Sequence, residues 1–165
     1  VAYYLSKERD TDVTGSYQRY QQYLRQHQHE FPATAFALAT SEWYQNPTDH
    51  RCPHDSWLEN VTLSESRETE RNSRVLSICI RLLGAYHDGH IEFFYPGVVS
   101  YTLESPSSGT GAGDWLYDEF RLSANGNLVH EIEWSASTSG KLTNWIIEAA
   151  DVEFKWIPFE EDLKH

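Results

Sequence analysis

RVLSICIRLLGAYHDGHIEFFYPGVVSYTL, residues 74–103, is the stretch whose reading decides the fold. Its first half alternates. Leu76, Ile78, Ile80 and Leu82 leave one side of an extended backbone, and Val75, Ser77, Cys79 and Arg81 leave the other. A period of two is what a half-buried strand requires. Tyr86-His87-Asp88-Gly89-His90 follows, and Asp-Gly between strand-like runs signals a type I′ hairpin turn, whose central residues both need positive φ. Ile91, Phe93 and Tyr95 then share one face of a second strand, and Pro96-Gly97 reverses the chain into a third, residues 98–103. The stretch predicts a three-stranded antiparallel meander with two histidines and an aspartate at one tip.

Upstream, the period changes. Tyr17, Tyr20, Leu24, His27 and Phe31 recur at intervals of three and four, which predicts a helix over residues 16–31 with Ser16 as N-cap and Pro32 as stop. Residues 33–44 fit a second helix through Phe36, Ala39 and Trp43, or a strand through Phe36, Leu38 and Thr40; the alanines favour the helix. A loop over 48–56 leads to a short strand, 57–64, and a polar link, 65–72. Downstream, a Ser/Gly-rich segment at 104–113 reads as a mobile tip. Strands are expected at 114–123, 128–134, 142–149 and 152–157, with Asn125-Gly126 as a second hairpin turn and a frayed tail at 159–165. The whole is an α+β chain forming a single domain, residues 1–165. One or two N-terminal helices, within 15–45, pack on a twisted antiparallel β-meander of about seven strands, 57–158, either open or partly closed.

Composition narrows the function classes. Hydrophobic residues make up 39% and aromatic residues 14%, so six Trp and ten Tyr must supply much of the core. Asp and Glu outnumber Lys and Arg 25 to 13, a formal charge of −12. That argues against a general nucleic-acid binder, which needs a basic surface, and suits a basic protein partner. There is no apolar run of about 18 residues, so no membrane helix is expected, and a cytoplasmic protein is the default reading. No phosphate-binding loop, nucleophile elbow, zinc-protease helix or dinucleotide fingerprint occurs, and no cofactor is expected.

Three clusters carry titratable or metal-ligating groups. His50, Cys52 and His54 are zinc-type ligands, but structural zinc sites combine two close pairs and only one cluster is present. His87, Asp88 and His90 place an aspartate between two imidazoles, an arrangement suited to general-base work, although the hairpin turn already accounts for Asp88. On the later strands Asp118 shares a face with Leu116 and Phe120, and His130 with Leu128 and Ile132. Counting back from an Asn125-Gly126 turn sets His130 nearest Glu119 or Arg121, with Asp118 reachable only on a diagonal. Trp115, Tyr117, Asp118, Glu119, Glu131 and Glu133 read together as an aromatic and acidic binding surface.

The phrases Arg81-Leu82-Leu83-Gly84-Ala85-Tyr86-His87-Asp88-Gly89, Asp114-Trp115-Leu116-Tyr117-Asp118-Glu119-Phe120, His130-Glu131-Ile132-Glu133-Trp134 and Cys52-Pro53-His54-Asp55 resemble a group of small stand-alone uncharacterised bacterial proteins, over residues 15–158. In class such proteins are similar to toxin-neutralising immunity proteins, and the resemblance carries no catalytic residues. Two functions follow as expectations. The first is a non-enzymatic domain that binds a basic toxin or enzyme through its acidic, aromatic-rich surface. The alternative is a small barrel-like hydrolase or ligand-binding module, which requires His87, Asp88, His90, Asp118 and His130 to converge on one cavity.

Overall fold

In the computed structural model, which describes residues 2–136 and 139–160, a 3-10 turn at Lys7–Asp10 leads into helix α1, Val13–Gln26. The N-cap is Asp12, whose carboxylate accepts from the Gly15 N–H at 2.9 Å. Ser16, expected at that position, is buried within the first turn. An aspartate with three free residues ahead of it caps as well as a serine, so the helix starts earlier than its apolar stripe does. It ends at Gln26, before Pro32, and Tyr20 and Leu24 form its buried stripe. Residues 33–44 are helical, as α2, Ala33–Ala39, and a 3-10 turn, Glu42–Gln45. Ala35, Leu38 and Ala39 face inward, while Phe36 is only half-buried.

Eight strands follow: β1 Trp57–Glu68, β2 Ser73–Leu83, β3 Gly89–Tyr95, β4 Val98–Leu103, β5 Asp114–Leu122, β6 Leu128–Ser135, β7 Leu142–Ala149 and β8 Glu153–Pro158. All pairs are antiparallel, in the order β4-β7-β6-β5-β1-β2-β3-β8. The class is α+β with N-terminal helices on an open, meandering sheet. The first half of the link expected at 65–72 is strand, because β1 runs on to Glu68 beside Ser73, and residues 69–72 make the turn.

The three-stranded meander expected over residues 74–103 is corrected at its last strand. β2 and β3 pair, but Pro96-Gly97 carries the chain away from them, and β4 pairs with β7 at the opposite end of the sheet. The turn residues report a reversal but not which strand receives it. The Asp88-Gly89 turn is also different. The hairpin spans residues 84–88, closed by Gly84 N–H to Gly89 C=O at 2.9 Å, and His87 takes the positive φ of 56°. Gly89 lies in the strand, where a Cβ would collide with the ring of Trp156 on β8.

The sheet narrows to one residue pair, Trp57 opposite Asp114, between β1 and β5. Helix α1 takes over the rest of the β5 edge. The Tyr20 hydroxyl accepts from Phe120 N–H at 2.6 Å and donates to Phe120 C=O at 3.2 Å, and the Tyr23 hydroxyl accepts from Leu122 N–H at 2.9 Å. Unpaired strand groups are thereby satisfied by side chains. The two four-stranded halves fold their apolar faces together, with Ile78, Ile80, Leu82, Ile91 and Phe93 on one side and Trp115, Phe120, Ile132 and Trp134 on the other. Phe93 stacks on Trp115 with centroids 5.2 Å apart. Of the tail expected to fray, residues 161–165 lie outside the described part. Phe159, by contrast, is held by its N–H to Asp88 C=O at 2.8 Å and by its ring against His90.

Candidate binding site

Leu116 is one residue too many for its ladder. Trp115 pairs with Trp134 and Tyr117 with Glu133, so Leu116 forms a β-bulge. A bulge reverses the alternation beyond it. Trp115 therefore faces the core together with Asp118 and Phe120, and its indole N–H donates to Asp118 Oδ1 at 3.2 Å. The extra carbonyl, of Leu116, is taken by the imidazole Nδ1 of His54 at 2.5 Å.

The β5–β6 turn sets the second part of the site. It has three loop residues, Ala124-Asn125-Gly126, with Gly126 at φ 80° and Ser123 N–H bonded to Asn127 C=O at 2.9 Å, the type I turn with a left-handed third residue. Compared with a two-residue turn, the register moves by one. Phe120, not Arg121, stands opposite His130, and Asp118 becomes its diagonal neighbour. His130 Nε2 meets Asp118 Oδ2 at 2.7 Å, and its Nδ1 meets the Tyr95 hydroxyl at 2.6 Å. The carboxylate can only accept, which puts the imidazole proton on Nε2 and leaves Nδ1 to accept from Tyr95. Tyr44 donates to Asp118 Oδ2 at 2.6 Å. Burial, followed by the nearby Asp118 charge, pushes the Tyr44 and Tyr95 phenols well above the ordinary range.

Asp118 is 5% exposed and lines a cavity of about 240 Å3 with Tyr4, Tyr44, Cys52, His54, Trp115 and Tyr117. His130 lies behind it, fully buried, with both ring nitrogens engaged, and does not reach the cavity. The Cys52 thiol donates to Tyr44 C=O at 3.1 Å, and burial pushes its pKa up to about 12. A thiol so protonated is a poor nucleophile and a poor metal ligand. What the arrangement offers is a carboxylate among aromatic faces and hydroxyls, a set suited to holding a cation. The fold already uses one of these faces that way: the Arg9 guanidinium lies 4.5 Å over the Tyr117 ring.

The other expected residues go elsewhere. His50 stacks on Tyr86 at 3.9 Å and bonds Asp88, so His50, Cys52 and His54 have three separate partners. Among the described residues no group of three His, Cys, Asp or Glu side chains is arranged to hold a metal. His87 packs against Trp57, and His90 lies between Arg81 at 2.7 Å and Glu59 at 3.0 Å. Neither they nor Asp88 line the Asp118 cavity, so of the five expected groups only Asp118 and His130 meet.

The acidic and aromatic surface expected on β5 and β6 is a covered one. Trp115 and Glu119 are fully buried and Glu133 nearly so. Trp115 is buried in the core against Phe93 and Trp134, and the N-terminal segment, residues 2–10, lies over the two glutamates. Glu119 accepts from the backbone N–H groups of Tyr3 at 3.2 Å, Tyr4 at 2.7 Å and Leu5 at 3.2 Å, and Arg9 bonds Glu133 at 2.9 Å. Arg121 bridges Glu119 and Glu131. Tyr4, which this segment carries to the cavity rim, was not among the expected site residues. No periodic pattern in residues 1–14 marks it.

No protein-family model matches this chain, and no curated protein or solved structure matches it either. The site therefore stands on its own geometry. No helix among the described residues is long and apolar enough to cross a membrane.

Proposed function

We propose that this chain is a non-enzymatic binding domain for a basic protein, in the manner of a toxin-neutralising immunity protein, and that the Asp118 cavity receives one lysine or arginine side chain of the partner. The observation that carries the reading is a carboxylate held by Tyr44, His130 and Trp115 on the floor of an aromatic cavity. The charge balance supports it. Several arginines are neutralised internally, Arg9 by Glu133 and Arg121 by Glu119 and Glu131, so the net −12 is left to the surface. Asp55 stands exposed next to His54 at the cavity. Such a surface speeds encounter with a basic partner, and a buried aromatic pocket supplies the anchor.

The test is a titration with short arginine-rich and lysine-rich peptides, watching the Trp115 indole N–H resonance, whose acceptor is Asp118. A shift that weakens with salt, and that Asp118→Asn or His54→Gln reduces, is the expected result. An unmoved indole resonance at low salt with every basic peptide would overturn the reading.

A further inference from the structure

The Asp118 cavity can sort cations by the number of hydrogen bonds they need, because its walls have already used most of their acceptors. The carbonyls of Pro53, Trp115 and Leu116 accept from Ser56 N–H at 3.0 Å, Asp55 N–H at 2.8 Å and His54 Nδ1 at 2.5 Å. Those of Tyr4, Tyr44 and Pro47 accept from the Arg9 guanidinium at 3.2 Å, the Cys52 thiol at 3.1 Å and the Tyr86 hydroxyl at 3.0 Å. All six of these residues line the cavity. Asp118 Oδ2 takes Tyr44 and His130, whereas Oδ1 takes the Trp115 indole at 3.2 Å. A carboxylate oxygen offers two acceptor sites, so Oδ1 keeps one open.

The charge is not spent in the same way. Among the described residues no lysine or arginine pairs with Asp118, and Arg9, over the Tyr117 ring, is matched by Glu133 at 2.9 Å. Above the carboxylate the walls are aromatic. Tyr4 and Tyr117, both half-buried, meet edge to face at 87° with centroids 5.1 Å apart, a corner at the rim.

We propose that the group this cavity selects is an N-methylated ammonium and, resting on the reading of a basic partner given above, the side chain of a methylated lysine. A guanidinium brings five N–H donors and a primary ammonium three, and each donor buried without an acceptor is costly. A dimethylated lysine brings one N–H for the open site on Asp118 Oδ1. Its methyl groups carry the positive charge onto the aromatic faces, where cations are attracted. Lysine keeps its single charge at every level of methylation. Long-range attraction to the acidic chain is therefore equal for all of them, and only the cavity tells them apart.

The test uses four short peptides, identical except for one lysine that is unmodified, monomethylated, dimethylated or trimethylated. They are titrated into the whole chain at one salt concentration, with the Trp115 indole N–H resonance as readout. The dimethylated peptide should bind tightest, about tenfold tighter than the unmodified one. Tyr4→Ala should remove most of that preference, and Tyr4→Phe, which keeps the ring, should retain it. Equal affinity for all four peptides would overturn the inference and leave the basic-partner reading standing. So would a trimethylated peptide that binds no better than its uncharged isostere, with carbon in place of the nitrogen, if the unmodified peptide still binds. An unmoved resonance with every peptide would overturn both. Tetramethylammonium chloride binding as tightly as the dimethylated peptide would support the aromatic cage and overturn a partner's lysine as the source of its ligand.

Discussion

His130 Nε2 bonds Asp118 Oδ2 at 2.7 Å although the two residues are not opposite each other in the β5–β6 ladder; Phe120 stands opposite His130, with the two rings stacked 4.0 Å apart. The diagonal bond exists because the turn has three residues and because the Leu116 bulge brings Trp115 round to the same carboxylate. One local irregularity and one turn length thus assemble a five-residue polar network inside an aromatic core.

Removing the imidazole should be severe. His130→Ala takes away the ring stacked on Phe120 and leaves Tyr95 and Asp118 each short of a buried partner. A loss of about 3–5 kcal/mol is expected in urea unfolding. A loss below about 1 kcal/mol would mean the network relaxes without it.

Glu119→Gln tests what holds the N-terminal segment. Glu119 accepts from three successive backbone N–H groups and pairs with Arg121, bonds that are strong because the acceptor is charged. The variant should lose about 1.5–3 kcal/mol, and the Tyr4 amide should exchange much faster than those of β6. Unchanged protection at Tyr4 would assign the anchoring to Arg9 and Glu133 instead.

Gly89 and Gly126 are glycines for different reasons, and substitution should separate them. At Gly126 the space is open but φ is 80°, so alanine should cost about 1 kcal/mol, with no neighbour able to relieve it. At Gly89 a Cβ meets the Trp156 ring, so alanine should cost about 1–3 kcal/mol, and Trp156→Phe should recover part of that loss. Additive melting shifts for the Gly89 and Trp156 pair would refute the contact.

Alkaline stability should fall in a defined window. Burial raises the Cys52 thiol from 9.0 to about 12 and the Tyr44 and Tyr95 phenols well above 10.0. The folded chain thus keeps protons that the unfolded chain releases. This contribution to stability is whole below pH 9 and is lost as the pH climbs past 9 for the thiol and past 10 for the phenols. Phenolate absorbance should show these tyrosines ionising only together with unfolding, and Cys52 should resist alkylation until then.

Much of the fold was legible because its signals are local. The alternation in residues 74–103 correctly sends Ile78, Ile80, Leu82, Ile91, Phe93 and Tyr95 inward, and the later run sends Leu128, His130, Ile132 and Trp134 inward. The stripe of Tyr20 and Leu24 likewise announces α1. Helix edges were less legible, since Asp12 and Ser16 are both good caps and the backbone can use either.

The site was half legible. Asp118 and His130 stood out as polar residues on apolar faces, which is a property of the pattern. Trp115 was read as part of an outer binding surface rather than the core, because a bulge leaves no mark in an otherwise regular alternation. Glu119 and Glu133 read as surface groups because alternation assigns them to the outer face; it does not tell that residues 2–10 cover that face.

What the sequence alone determined, then, is which segments are helix or strand and which side of each is apolar, since these follow from side chains a few positions apart. Tertiary structure decided the rest: that β4 pairs with β7 rather than β3, that the tyrosines of α1 replace β1 along β5, and that Asp118 meets His130 beneath an aromatic cavity. Each of these depends on register and on contacts between residues a dozen to a hundred positions apart, and no short-range pattern encodes them.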